Sequence, residues 1–271
     1  MQLLCSTGAF SRFPNYVDYH AILRYGPQLD VDGLEVMFYP TWYDHIEQIA
    51  YDLQQSGLRF PVMHTEKNIG VALGKANTEE RKQGVRWLTA NCRLASFLST
   101  KVLVLHLWGW PELDDHLEYN LASLSKCLDI AEQHGLALAI ETIPSRHATP
   151  LSNVQRAVER DDRSHVALDT EFLAQSNQLE EIFVTPWFWQ TKRTVHAHIK
   201  DFDGQAFTPD GIRRYLHPGE GHINFRHFFD GLKQHGYDEY ISLESPAIDS
   251  HGVVTIARLQ QSLRMIRNFI L

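Results

Sequence analysis

A chain of 271 residues with 44% apolar side chains is long enough for one large core, and a single α/β barrel takes about 250 residues. The formal net charge of −8 and a pI near 6.0 supply no global basic field for nucleic acid. Cys5, Cys92 and Cys127 form an odd set without a CxxC pair, which reads as buried thiols of a reducing compartment rather than a disulfide framework or a zinc finger.

The N-terminus lacks the charged and apolar regions of a secretory signal, and no run of about 18 apolar residues occurs. A cytoplasmic protein with no membrane partner and no nucleic-acid partner is the expectation. Eight strand candidates follow one another: Leu3–Thr7, Gly33–Met37, Phe60–His64, Val102–Leu107, Ala137–Glu141, Val166–Asp169, Val195–Lys200 and Tyr240–Glu244. Helical patterns lie between them at Tyr43–Ser56, Thr78–Leu98, Asp114–His134, Phe225–His235 and Val254–Ile270. Asn77 with Glu80 predicts a capping box at the start of the second of these. Three helical patterns close on Gly57, Gly135 and Gly236, residues that tolerate a left-handed helix end, and a strand candidate follows each. No linker divides the chain, so 1–271 is expected to be one α/β domain, a single (β/α)8 TIM barrel. A doubly wound open sheet is the weaker alternative, because no GxGxxG turn follows the first strand.

Seven of the eight strand candidates end near an ionisable residue: Glu35, His64, His106, Glu141, Asp169, His198 and Glu244. Two residues earlier the same face is apolar or small at Val62, Val104, Ala139, Ala167 and Ser242, with His196 the exception. In a barrel this pattern places a polar crown above an apolar interior. Three carboxylates and an imidazole, Glu141, Asp169, Glu244 and His198, would repel one another and rise in pKa without a cation. One divalent ion relieves that conflict. The donor types suit Mn²⁺ or Mg²⁺ and leave Zn²⁺, Co²⁺ and Fe²⁺ open.

These residues carry a resemblance to the xylose isomerase-like TIM-barrel family, which groups sugar isomerases and epimerases with endonuclease IV. It rests on Asp32-Gly33-Leu34-Glu35, Ala139-Ile140-Glu141, Ala167-Leu168-Asp169, His198-Ile199-Lys200-Asp201, Pro218-Gly219-Glu220-Gly221 with Ile223 and Phe225, and Gly236–Glu244. The resemblance implies that Glu141, Asp169, His198 and Glu244 bind one metal, which stabilises an enediolate of a keto sugar. It also implies that Glu141 and Glu244 exchange the carbon-bound proton on opposite faces of the substrate. Return of the proton to the same carbon from the other side epimerises; return to its neighbour isomerises.

The sequence departs from the family at three places. Phe172 stands where many members have a His that holds substrate or a further metal. Gly204 and His147 stand where some ketose 3-epimerases have Arg and Glu. No ketose 3-epimerase activity is therefore assigned. The missing His, with no Asp-x-His in 202–224, argues against a three-metal DNA-repair site.

His64, His106, Lys200, Trp108 and Glu220 are the candidate substrate contacts. Lys200 has a salt bridge with Asp201 or Glu220 as its alternative role, Glu220 a part in orienting a metal ligand, and Arg146 a contact with a phosphate or carboxylate. Trp187, Phe188 and Trp189 read as helix packing or a homo-oligomer contact. Segments 202–224 and 66–77 are candidate lids. The reading is a metal-dependent sugar or sugar phosphate isomerase or epimerase. A lyase or dehydratase on a polyol-derived ketone or keto acid is an alternative, and so is a sugar- or metal-binding barrel without turnover.

Overall fold

In a computed structural model, which describes residues 1–12 and 18–271, eight parallel strands close into a barrel in sequence order. The strands are β1 (Gln2–Ser6), β2 (Gly33–Met37), β3 (Val62–His64), β4 (Val102–Leu105), β5 (Ala137–Glu141), β6 (His165–Asp169), β7 (Thr194–Ile199) and β8 (Tyr240–Leu243). Closure comes from β1 lying beside β8, with Leu4 opposite Ser242 and Cys5 opposite Leu243. All eight expected strands are present within two residues of their expected ends. β3 starts late because Phe60 and Pro61 lie outside the ladder, although the Pro61 carbonyl still accepts from Lys101 and Val102.

The α-helices among the described residues are α1 (His20–Tyr25), α2 (Ile46–Gln55), α3 (Asn68–Leu73), α4 (Thr78–Phe97), α5 (Leu117–Gln133), α6 (Pro150–Arg160), α7 (Thr170–Gln175), α8 (Phe225–Gln234) and α9 (Ile256–Ile270). None is long and apolar enough to cross a membrane. Gly57, Gly135 and Gly236 sit at φ of 70°, 70° and 68°, the left-handed conformation expected just past α2, α5 and α8. The Asn77 side chain does cap α4, but it accepts from the Glu79 N–H rather than making a reciprocal box with Glu80. Trp187 and Phe188 belong to a short 3-10 turn before β7, and Trp189 caps its end. Their rings pack on one another and, through Trp189, on Phe183, His235 and Tyr237.

Alternation along the strands divides the apolar residues into two sets. Leu4, Val62, Val102, Val104, Ala139, Ala167 and Val195 fill the barrel lumen. Leu3, Cys5, Leu34, Val36, Leu103, Ile140, Leu168, Ala197 and Ile199 face the helices in the larger core, while Cys92 and Cys127 are buried there as free thiols. The pairing of β6 with β7 slips by one residue: Val166 is opposite Thr194, yet Ala167 is opposite His196. Val195 is the extra residue of this bulge and packs in the lumen, contrary to the strict alternation expected of β7.

The 66–77 stretch, expected as a loop or lid, contains α3, with Ile69 and Leu73 fully buried. Gly70 makes that packing work: a Cβ there would lie 2.1 Å from the His106 backbone oxygen. Ala would gain about 1 kcal/mol of helix propensity, but it would force α3 off the end of β4. Gly70→Ala is therefore expected to lower stability by about 1–3 kcal/mol, the usual cost of overpacking. A denaturant midpoint equal to that of the wild type would refute this account of α3.

Candidate functional site

The polar crown forms at the C-terminal ends of the strands, and its members are buried together. Register explains the geometry: on β6 and β7 Asp169 lies opposite His198, which on β8 lies opposite Ser242. The bulge at Val195 makes this phase possible. Glu35 corrects one expectation. It is not at the end of β2 but within it, opposite Ser6 and Val62, and so lies deeper than the other carboxylates.

One donor atom from each of Glu141, Asp169, His198 and Glu244 lies within 4.8 Å of the others. An ion with bonds of about 2.0–2.2 Å holds its donors no more than about 4.4 Å apart, so a contraction of a few tenths of an ångström would let these four share one. Each donor is fixed from behind. The Nδ1 of His198 is 2.8 Å from Oε1 of Glu141, and its Nε2 is 2.8 Å from Oε1 of Glu35. Asp169 spends Oδ1 on the N–H of Phe172 as the N-cap of α7, which leaves the buried Oδ2 without a hydrogen-bond donor. The Oε2 of Glu141 meets Nε2 of His64 at 3.1 Å and Nε2 of His106 at 2.7 Å. His64, His106 and Glu141 thereby form a second candidate donor group that shares a carboxylate with the first, and Glu35, His196 and His198 form a third.

Lys200 is buried on the lumen side with its Nζ between two of the four donors. It donates to Oε2 of Glu244 at 2.6 Å and lies 2.6 Å from Oδ2 of Asp169, close but not aligned for a hydrogen bond. Neither Asp201 nor Glu220 is its partner. Asp201 instead accepts from the backbone N–H groups of Phe202, Gly219, Gly221 and Ile223, and so shapes the turn that contains Pro218-Gly219-Glu220-Gly221. Glu220 is exposed and pairs with Arg258 at 2.8 Å, away from the crown.

The electrostatics record a crowded site. Burial works against the charge on His198, but Glu35, Glu244 and Glu141 outweigh it and hold the imidazole well above its ordinary pKa. Burial also opposes the charges on Glu35 and Glu141. His198 and His196 hold the former well below the carboxylate range, and His106 and His198 do so for the latter. The two carboxylates beside the Lys200 ammonium divide. Burial pushes Asp169 up to about 7, with Lys200 opposing and Glu141, Glu244 and Glu171 adding to the rise. Glu244 goes down to about 2, because Lys200, His198 and Lys67 overcome its burial. On Asp169 the repulsion anticipated for three carboxylates adds to the larger effect of burial. The set of three carboxylate oxygens with one imidazole nitrogen fits a divalent cation, which at Oδ2 of Asp169 would compete with the Lys200 ammonium. Burial brings His106 down to about 4, so that imidazole is neutral.

Above the crown opens a cavity of about 620 Å³, the size of a small-molecule site. Of the expected site residues, Glu244, Lys200 and His106 line it. Glu141, Asp169, His198 and His64 lie beneath. Trp108 is fully buried and donates to the Pro144 carbonyl, so Trp110 rather than Trp108 presents its ring to the cavity. Arg146 and His147 both pair with Asp115, outside the lining. Phe172 lies in the wall, 4.5 Å from Nζ of Lys200, a cation–π contact. Residues 202–224 supply Ala206, Phe207, Arg213 and Tyr215, braced by antiparallel bridges of Phe207 to Arg213 and Asp201 to Leu216.

Sequence reasoning did not single out Arg12, Lys67, Arg213 or Tyr215, all in the lining, and noted Tyr39 only among aromatics near the loops. Arg12, Tyr39 and Lys67 fall just after β1, β2 and β3, so a survey of strand-to-helix loops would have found them.

Comparison with known proteins agrees with this architecture. The chain is 29% identical over 232 residues to the uncharacterized protein MJ1311 of Methanocaldococcus jannaschii, covering 80% of this chain and 75% of that one. A D-allulose 3-epimerase from Methylomonas sp. superposes with a TM-score of 0.76 at 14% identity, covering 99% of this chain and 98% of the other. The IOLI protein with a bound zinc atom superposes with a TM-score of 0.69 at 15% identity, covering 100% and 98%. Residues 23–269 match the family described as xylose isomerase-like TIM barrel, and with its eight-stranded closure and crown of donors the chain belongs to that family.

Proposed function

We propose that this barrel is a divalent-metal-dependent isomerase or epimerase of a sugar or sugar phosphate. The observation that carries the reading is the convergence of Glu141, Asp169, His198 and Glu244 at the base of a ligand-sized cavity. The fold shared with a D-allulose 3-epimerase and a zinc-binding barrel supports it. A bound ion would polarise a substrate carbonyl and offset the negative charge that develops as a carbon-bound proton leaves.

The chain's own groups divide the remaining work. Glu244 faces the cavity with a carboxylate kept ionised by Lys200, so it can receive a proton from carbon. Glu141 lies deeper, gripped by three imidazoles, and is the second proton-exchanging carboxylate of the reading. The neutral His106 stands between Glu141 and the cavity, placed to hydrogen-bond a substrate hydroxyl. Glu35 acts from beneath, fixing the ring of His198 so that Nδ1 faces the donor set.

The test is to strip the protein with chelator, reload it with Mn²⁺, Mg²⁺, Zn²⁺ or Co²⁺, and incubate it with a panel of keto sugars and their phosphates in D₂O. One ion per chain and deuterium entering the carbon next to the carbonyl are expected. Loss of water with a new chromophore would replace the reading with a lyase, and binding without either outcome would replace it with a non-catalytic barrel. Two or more tightly held ions would direct attention to the His64, His106 and Glu141 group.

A further inference from the structure

We infer that the cavity takes a substrate bearing an anionic group, a phosphate or a carboxylate, held at the mouth by Arg12 and Lys67 beside the Tyr215 hydroxyl. This rests on the reading of the cavity as the substrate site. Among the described residues, four cationic side chains line the cavity against a single carboxylate, Glu244, in a chain whose net charge is −8. Two of the four are already neutralised. Lys200 lies between Asp169 and Glu244, and Arg213 pairs with Glu171. Arg12 and Lys67 are different: among the described residues neither makes an ion pair with a carboxylate.

Arg12 is nonetheless positioned. Its Nη2 donates to the Tyr215 hydroxyl at 2.7 Å, and its guanidinium lies 4.3 Å from the centre of that ring. The stacking fixes the plane of the guanidinium and leaves further N–H groups free to form a fork to two oxygens of an oxyanion. Lys67 adds a point charge from the loop after β3. The fields of Arg12, Lys67 and Lys200 meet at Tyr215. Burial alone would raise that phenol, yet the three charges bring it below its ordinary value. Uncompensated positive charge at a cavity mouth attracts anions, and its cost in the empty site is offset only when a ligand brings negative charge.

The test compares affinities of the metal-loaded chain for a ketohexose, its 6-phosphate and the 2-keto-aldonate of equal length, measured by calorimetry at low salt. At least one anionic probe is expected to bind tenfold or more tightly than the neutral ketose; which one does so identifies the group. Arg12→Gln and Lys67→Gln should each lower the ratio of affinities, that probe over the neutral ketose, about tenfold. Equal affinities for neutral and charged probes in the wild type would overturn the proposal. So would a charge preference that survives in the double variant. Anionic preference without deuterium exchange on any probe would leave the anchor standing and remove the isomerase reading.

Discussion

Glu244→Gln and Glu141→Gln are each expected to abolish deuterium exchange into a bound keto sugar while the barrel stays folded. Gln keeps the shape of Glu but can neither take a proton from carbon nor offer an anionic oxygen to a cation. Loss of a positioned acid or base costs about 10²–10⁴-fold, and weaker metal retention would add to that. The two variants should differ in a second measurement. Glu141 touches His64, His106 and His198, so its neutral replacement disturbs three buried imidazoles. Glu244 touches Lys200 and opens to the cavity. Glu141→Gln should therefore lower the melting temperature more than Glu244→Gln. Exchange at the wild-type rate in either variant, with metal bound, would remove that carboxylate from the chemistry.

Lys200→Met is expected to destabilise the metal-free protein by about 3–5 kcal/mol, because removing one partner of a buried ion pair strands the other. For Lys200 two carboxylates are stranded, Asp169 and Glu244, both buried. In a domain of this size the loss corresponds to a fall in melting temperature of about 6–20 °C. The sharper prediction concerns metal. In the wild type the ammonium already screens two of the four donors, so a cation must compete with it. In Lys200→Met a divalent ion inherits that task, and adding Mn²⁺ should raise the melting temperature more in the variant than in the wild type. Equal gains would show that the ammonium and the ion do not act on the same oxygens.

The barrel was legible because its signals are local. Alternation marked each strand, and Gly57, Gly135 and Gly236 marked three helix ends in the conformation they adopt. The helices that escaped, α1, α3 and α7, have six residues each, too few to repeat a helical period convincingly. α6 is longer and did carry a signal, with Thr149 as N-cap, Pro150 at its start and Leu151, Val154 and Ala157 on its buried face.

The crown was legible for a related reason: a strand end is a position in space once the barrel is granted, so Glu141, Asp169, His198 and Glu244 could be placed together. Side chains whose destination depends on loop paths were not. Trp108 and Trp110 are two residues apart, and only the packing of the loop beyond β4 decides that the first is interred and the second faces the cavity. The partners of Lys200 and Glu220 were equally undecided, since only the fold brings Asp169 and Glu244 to the first and Arg258 to the second. The stretch 13–17, beyond Arg12, lies outside the described residues.

The irregularity at Val195 makes the phase of β7 a matter of arithmetic. Upstream of it Thr194 sends its hydroxyl outward to the Phe188 carbonyl; downstream His196 and His198 look inward. Shortening the strand at Val195 would restore an even rhythm and keep both imidazoles turned to the axis. Shortening it at Ala197 would swing His198 out among the helices. One omitted residue would then erase the nitrogen donor while every acid of the quartet stayed in place.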